Sequence, residues 1–348
     1  MIASRVGLHC LIPPYILDKL SQSEDPAVRK QAVDAIEASA TARAVRATLS
    51  TMPQMAAIPS PGANKHRLIY DLAGRNFSAL PGTLVRSEGQ TRTKDVAVNE
   101  AYDHSGATYD FYLEVFNRNS LDDKGMSLIS SVHLLRKMNN AFWNGEQMVY
   151  GDGDGREFIR FTKSLDVVGH ELSHGVIAHT CNLTYEGESG ALNEHFADVF
   201  GVLVKQWKKK QTAAQADWLI GAGIMGPKTK AKSLRTFKAG KAYEDDPILG
   251  TDPQPKHAKH RYKGAEDNGG VHINSGIPNH AFYLTAMTIG GRSWLRAGRI
   301  WYRTLLNLTP RSGFKDMVKT SLAAAASEFG RTSNEHKAVK QAWKDVGL

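Results

Sequence analysis

With 348 residues, 41% of them apolar and 23% charged, the chain can bury the cores of two folded domains plus a small accessory segment, and its composition is that of a soluble globular protein. No apolar run nears the ~18 residues of a membrane span, and two cysteines, Cys10 and Cys181, exclude a disulfide framework. The net charge of +9 comes from scattered lysines such as Lys208–Lys210 without the interleaved aromatics of a nucleic-acid groove, so neither membrane nor nucleic acid is expected as a partner. The amino terminus is apolar only in short stretches, broken by His9 and Pro13, and lacks the apolar core of a Sec signal peptide. An extended Pro13-Pro14 segment precedes a helix capped by Asp25 with Pro26 in its first turn. Its stripe of Val28, Ala32 and Ile36 cannot form a core alone and must dock on the domain that follows. Residues 52–64, rich in proline and small side chains, read as an exposed linker, with proteolytic processing expected between residues 50 and 62. Strands over 67–72 and 128–134 and a helix over 98–117 suggest a β-rich lobe. The Asp152–Gly155 run reads as a turn, because Arg156 sits where an EF-hand loop needs a ligand. From Ser164 onward helices are expected near 164–180, 190–209, 276–289, 293–306, 314–328 and 334–345, a helical lobe facing the β-rich one across a substrate cleft.

The first of those helices carries His170-Glu171-Leu172-Ser173-His174, the H-E-x-x-H pattern of zinc peptidases. Residues four apart stand one turn above each other on a helix, so both imidazoles can reach one ion with Glu171 beside them. A catalytic zinc usually takes three protein ligands, and His2Glu is one of the recorded sets. Glu194 lies 24 residues after His170 in the next helical pattern, beyond a turn expected to contain Asn182, Gly187, Ser189 and Gly190. Asp198, one turn past Glu194, is placed to accept the free ring N–H of a ligating histidine. A third-histidine ligand set is excluded, since Ile177 and Thr180 occupy its glycine and histidine positions. Glu171 is then left to serve as general base.

The segments Asn139–Gly145, Met148–Gly155, the zinc helix, Gly190–Glu194 and Asp267–Gly276 together resemble the thermolysin family of neutral metalloproteases, over about residues 66 to 348. The short amino-terminal extension with Ile12-Pro13-Pro14-Tyr15 is similar to the protealysin-like branch. The resemblance implies an α+β, two-lobed fold: a pro-segment and linker (1–55), a β-rich lobe that includes the zinc helix (56–180) and a helical lobe (181–348). It implies a secreted zinc endopeptidase made as a zymogen, acting on protein or peptide substrates and held inactive by its own pro-segment. Without a Sec signal, export by another route or residence in the cell is expected instead. By the same resemblance His272 and Tyr185 stabilise the developing oxyanion, Asp267 orients His272, Arg235 holds the substrate backbone, and Asn140 with the Ala141 backbone forms the groove edge. Phe158, Phe161, Val167, Ile220 and Leu234 match the pocket wall and imply cleavage on the amino side of bulky apolar residues.

One departure from the family pattern stands out. Of the family's calcium-binding carboxylates only Asp166 and Asp217 remain, with Lys205, Leu219 and Ala222 at former acidic positions, so the lysine ammonium is expected to replace calcium. Cys10, inside the pro-segment, offers a thiolate as a fourth zinc ligand and hence a second expectation, latency through a Cys10–zinc bond. The rival to an active protease is a catalytically silent relative that keeps the fold to bind peptides.

Overall fold

The computed structural model describes residues 9–49 and 64–348, so the linker expected over 52–64 and its processing site fall, apart from Asn64, outside the described residues. The chain enters as a two-residue strand, β1 (His9–Cys10), and turns at once into helix α1 (Pro14–Ser21). The sequence predicts an extended stretch here. Pro14 opens the helix instead, because a first-turn residue needs no N–H and the fixed proline φ suits it; Ile16, Leu17 and Leu20 then form a buried stripe. Helix α2 (Pro26–Leu49) starts as expected, with the Ala27 amide donating to Asp25 Oδ1 at 2.8 Å. Val28, Ala32 and Ala35 are buried and Ile36 partly so.

Five further strands, β2 (Arg67–Asp71), β3 (Thr83–Ser87), β4 (Leu128–Val132), β5 (Ala141–Trp143) and β6 (Met148–Tyr150), join β1 in a mixed sheet of order β1-β5-β6-β4-β2-β3. Strand β4 stops short of its expected end, since His133 has φ +58° and cannot continue an extended strand. The His133 ring instead bridges Asp152 (2.8 Å) and Asp95 (3.0 Å), and the bond to Asp152 helps lift its pKa to about 9 against the cost of burial. Asp95 also caps helix α3 (Val96–Phe116), which packs on β2 and β4.

Helices α4 (Leu165–Ala178) and α5 (Gly187–Lys208) pack directly against each other. Glycines make that approach possible: a Cβ on Gly201 would stand 2.6 Å from the Asp166 carbonyl oxygen, and one on Gly169 would stand 3.3 Å from the Gly201 Cα. The turn between them is shorter than expected, because Gly187, Ser189 and Gly190 already belong to α5; Asn182, at φ +46°, does the turning. A small hairpin of β7 (Leu219–Ile220) and β8 (Arg235–Thr236) follows. Helices α6 (Glu266–Asn274), α7 (Gly276–Ile289), α8 (Ala297–Leu305), α9 (Phe314–Phe329) and α10 (Asn334–Asp345) complete the helical half. The single helix expected over 293–306 is divided at Arg296, whose φ −125° and ψ −68° separate a short 3-10 turn from α8. No helix among the described residues is long and apolar enough to cross a membrane.

Candidate active site

The α4–α5 contact brings His170, His174 and Glu194 together, each fully buried, with one ligand atom apiece within 4.8 Å of the others. The two Nε2 atoms lie 3.1 Å apart, and the Glu194 oxygens stand 3.6 Å from His170 Nε2 and 3.5 Å from His174 Nε2. His174 Nδ1 donates to Asn193 Oδ1 at 2.8 Å, which leaves its Nε2 lone pair facing inward. His170 Nδ1 lies 2.8 Å from Asp198 Oδ1, a contact that places the ring proton on the carboxylate side and leaves the Nε2 lone pair facing Glu194. Glu194 Oε2 is buried and has no hydrogen-bond partner among the described residues. Two inward nitrogen lone pairs and an orphaned carboxylate oxygen in a dry site repel one another unless a cation lies between them, and an N2O donor set suits zinc.

Beside this cluster Glu171 is fully buried, its Oε2 accepting the Trp143 amide at 3.1 Å. Across it, the Tyr185 hydroxyl donates to Glu194 Oε1 and lies 3.1 Å from His272 Nε2. His272 belongs to α6, and four consecutive left-handed residues, Asp267 to Gly270, open that helix. The reversal folds the Asp267 carboxylate back onto its own turn: Oδ2 accepts the His272 amide (2.8 Å) and Oδ1 lies 2.6 Å from His272 Nδ1. Burial lowers the His272 pKa, yet Glu194 and Asp267 outweigh it and raise the group to about 9.

The cleft holds the chain's own amino-terminal segment. Strand β1 runs antiparallel to β5, with Cys10 opposite Phe142. The Cys10 carbonyl oxygen is 3.1 Å from His272 Nε2; the Leu11 amide donates to Ala141 O (3.3 Å), Arg235 Nη1 to Leu11 O (3.2 Å), and the Ile12 amide to Asn140 Oδ1 (3.0 Å). Every residue expected to grip a peptide backbone therefore grips this one. Cys10 contacts the site through its carbonyl; its Sγ lies 3.6 Å from Ile12 O, and among the described residues the compact ligand group is His170, His174 and Glu194. Arg235 is itself held by Asp198 through Nε (2.9 Å) and Nη2 (2.8 Å), and the pair of partners Arg235 and His170 keeps the Asp198 pKa far below the carboxylate range despite complete burial.

Residues 61–178 match the family described as Thermolysin metallopeptidase, catalytic domain, and residues 181–348 match Thermolysin metallopeptidase, alpha-helical domain. The chain belongs to the thermolysin family and is a zinc metalloendopeptidase. Over 291 residues it is 48% identical to the extracellular metalloprotease of Pectobacterium carotovorum subsp. carotovorum, spanning 83% of this chain and 82% of that one. Protease PrtS of Photorhabdus sp. is 51% identical over 288 residues, or 81% and 76% of the two chains. The solved precursor of Protealysin, a metalloproteinase from Serratia proteamaculans, aligns with a TM-score of 0.88 at 44% identity, covering 98% of this chain and 99% of that one. These likenesses establish the thermolysin-like fold, a mixed-sheet amino-terminal domain followed by a helical one, and the protealysin-like branch.

Within this thermolysin-family framework Lys205 sits where the sequence placed it, its ammonium 3.0 Å from Asp166, 2.9 Å from Asp217 and 2.7 Å from the Leu219 carbonyl. Burial opposes the charge, but Asp166 and Asp217 raise the Lys205 pKa above its usual value. Phe158, Phe161, Val167, Ile220 and Leu234, the residues expected to form the pocket wall, are all buried in the same apolar core as Leu11. Sequence reasoning missed Asn193, which orients His174, and Asn279, which donates to Asp198 Oδ2 at 2.9 Å. Asn193 adjoins Glu194 and could have been suspected from that alone; Asn279 lies 81 residues from its partner, and no local signal marks it.

Proposed function

We propose that this chain is the precursor of an endopeptidase that cuts on the amino side of bulky apolar residues, with residues 1–55 as a removable pro-segment and linker, 56–180 as the catalytic lobe bearing the metal helix and 181–348 as the helical lobe. One observation carries the specificity: the pro-segment occupies the cleft in an extended, antiparallel register, and the residue that follows the carbonyl at His272 is the fully buried Leu11. In this reading His170, His174 and Glu194 hold the ion, Asp198 and Asn193 fix the two imidazoles, and Arg235, Asn140 and Ala141 align the peptide. Zinc in that position would supply Lewis acidity, polarising the scissile carbonyl and making water acidic at neutral pH. Glu171 accepts a proton from the attacking water and delivers it to the departing nitrogen, while Tyr185 and His272, the latter oriented by Asp267, donate to the carbonyl oxygen as charge develops there. The rival, a silent peptide-binding relative, would have no use for a buried Glu171 beside the cluster. Cleavage of a random peptide library by the processed chain is expected to place Leu, Ile or Phe directly after the cut; a preference for a charged residue there would refute the reading.

We also propose that calcium plays no stabilising part, because an ammonium already neutralises Asp166 and Asp217 and calcium needs six to eight oxygens. The melting temperature is expected to be unmoved by millimolar calcium; a strong rise would overturn this. The extracellular naming of the Pectobacterium relative supports secretion of this chain as well.

A further inference from the structure

Among the described residues Asp198 is the one carboxylate that serves both halves of the site, touching the ligand His170 and the clamp Arg235, so what holds Asp198 matters to both. Its remaining partner is Asn279 of α7, whose Nδ2 donates to Asp198 Oδ2 at 2.9 Å. Behind Asn279 lies a chain of groups with no exposure to solvent: Asn279 Oδ1 is 2.7 Å from His195 Nδ1, and Trp301 Nε1 of α8 is 2.7 Å from His195 Nε2. The direction of every bond follows from the indole. An indole N–H can only donate, so His195 Nε2 must present a lone pair; a neutral ring then carries its proton on Nδ1, which donates to the Asn279 carbonyl. With its oxygen committed, the Asn279 amide has only its NH2 to offer Asp198. The opposite arrangement would set a carbonyl oxygen against a buried carboxylate and leave a donor unused.

We propose that His195 is a positioning residue: with Trp301 it fixes the amide of Asn279, and through it the Asp198 carboxylate that aligns His170 for the metal and Arg235 for the substrate backbone. The inference rests on the assignment of His170 as ligand and Arg235 as clamp. A purely structural explanation for these groups is weak, because three apolar side chains of similar shape would fill the junction of α5, α7 and α8 without having to satisfy buried polar atoms. Three helices are instead tied to the site by a single line of donors.

The tautomer and zinc-affinity measurements use the full-length chain, and the kinetics use the processed enzyme. In 15N-histidine-labelled parent protein the His195 ring, assigned by its through-space contact with the Trp301 indole N–H, is expected to show the Nδ1–H tautomer in the metal-free state, a readout that needs neither folding of a variant nor turnover. Zinc affinity is then measured by competition with a chromogenic chelator, and KM and kcat are measured on processed enzyme at saturating zinc. His195→Leu is expected to weaken zinc binding on the order of 10-fold, the lower end for an outer partner of a ligand, and to raise KM by about 5-fold while kcat changes less than about 2-fold, the pattern of lost substrate binding. His195→Gln, whose amide can accept from Trp301 and donate to Asn279, is expected to recover most of both. A proton on Nε2, or equal zinc affinity and KM for the Leu and Gln variants, would overturn the proposal. If His170→Ala binds zinc as the parent does, the ligand assignment fails rather than the hydrogen-bond line.

Discussion

Glu171→Gln is expected to leave the zinc content of the processed enzyme at the parental level and to lower kcat/KM by about 10² to 10⁴ or more, the range spanned by general acid–base assistance. The substitution is close to isosteric, and the Gln carbonyl oxygen can still accept the Trp143 amide that Glu171 Oε2 accepts at 3.1 Å. Nothing in the ligand group changes, because Glu171 is not among the atoms that converge there. What is lost is a carboxylate able to take a proton from water and return it to the leaving amine. Steady-state kinetics on a short peptide, with elemental analysis of the same preparation, separates the two roles. Retention of most of the activity would show that another group moves the proton.

Leu11→Ala in the precursor should release much of the self-inhibition without disturbing the catalytic lobes. The Leu11 side chain has no exposure to solvent, and removing a buried leucine to alanine costs about 2–5 kcal/mol. Since about 1.4 kcal/mol is tenfold in a binding constant, docking of the segment is expected to weaken on the order of 100-fold. The backbone contacts of Leu11 with Ala141 and Arg235 survive the change, so the register should persist and only its occupancy fall. The measurement is the initial rate of peptide hydrolysis by intact precursor, its length verified by mass spectrometry at the time of assay. A Leu11→Ala precursor as inert as the parent would place the inhibitory energy elsewhere, in α1 and α2.

The metal helix was legible because its chemistry is local. His170, Glu171 and His174 are fixed by the 3.6-residue repeat alone, and Glu194 and Asp198 by the same repeat one helix later. The Lys205 substitution was legible for a related reason, since a lysine among acidic positions announces its own partners. Other features depend on distance or on unusual backbone. Helix α1 was hidden by its prolines, which mark an extended chain as readily as a first helical turn. The division at Arg296 lies in its backbone angles, φ −125° and ψ −68°, which no side-chain repeat reveals. Strand β1 has two residues and exists only because β5, far along the chain, offers it an edge. The line from Trp301 to Asp198 joins three helices across 106 and 81 residues and leaves no periodic trace.

The central claim is that two imidazoles and a distant carboxylate share one ion in a cleft that the chain itself keeps closed. Zinc per chain and peptidase activity, measured on the same preparation before and after removal of residues 1–55, test it most directly. The expected result is one zinc in both forms with activity confined to the shortened one. A shortened protein that is metal-free, or one that hydrolyses peptides equally well after its zinc has been stripped, would contradict the account.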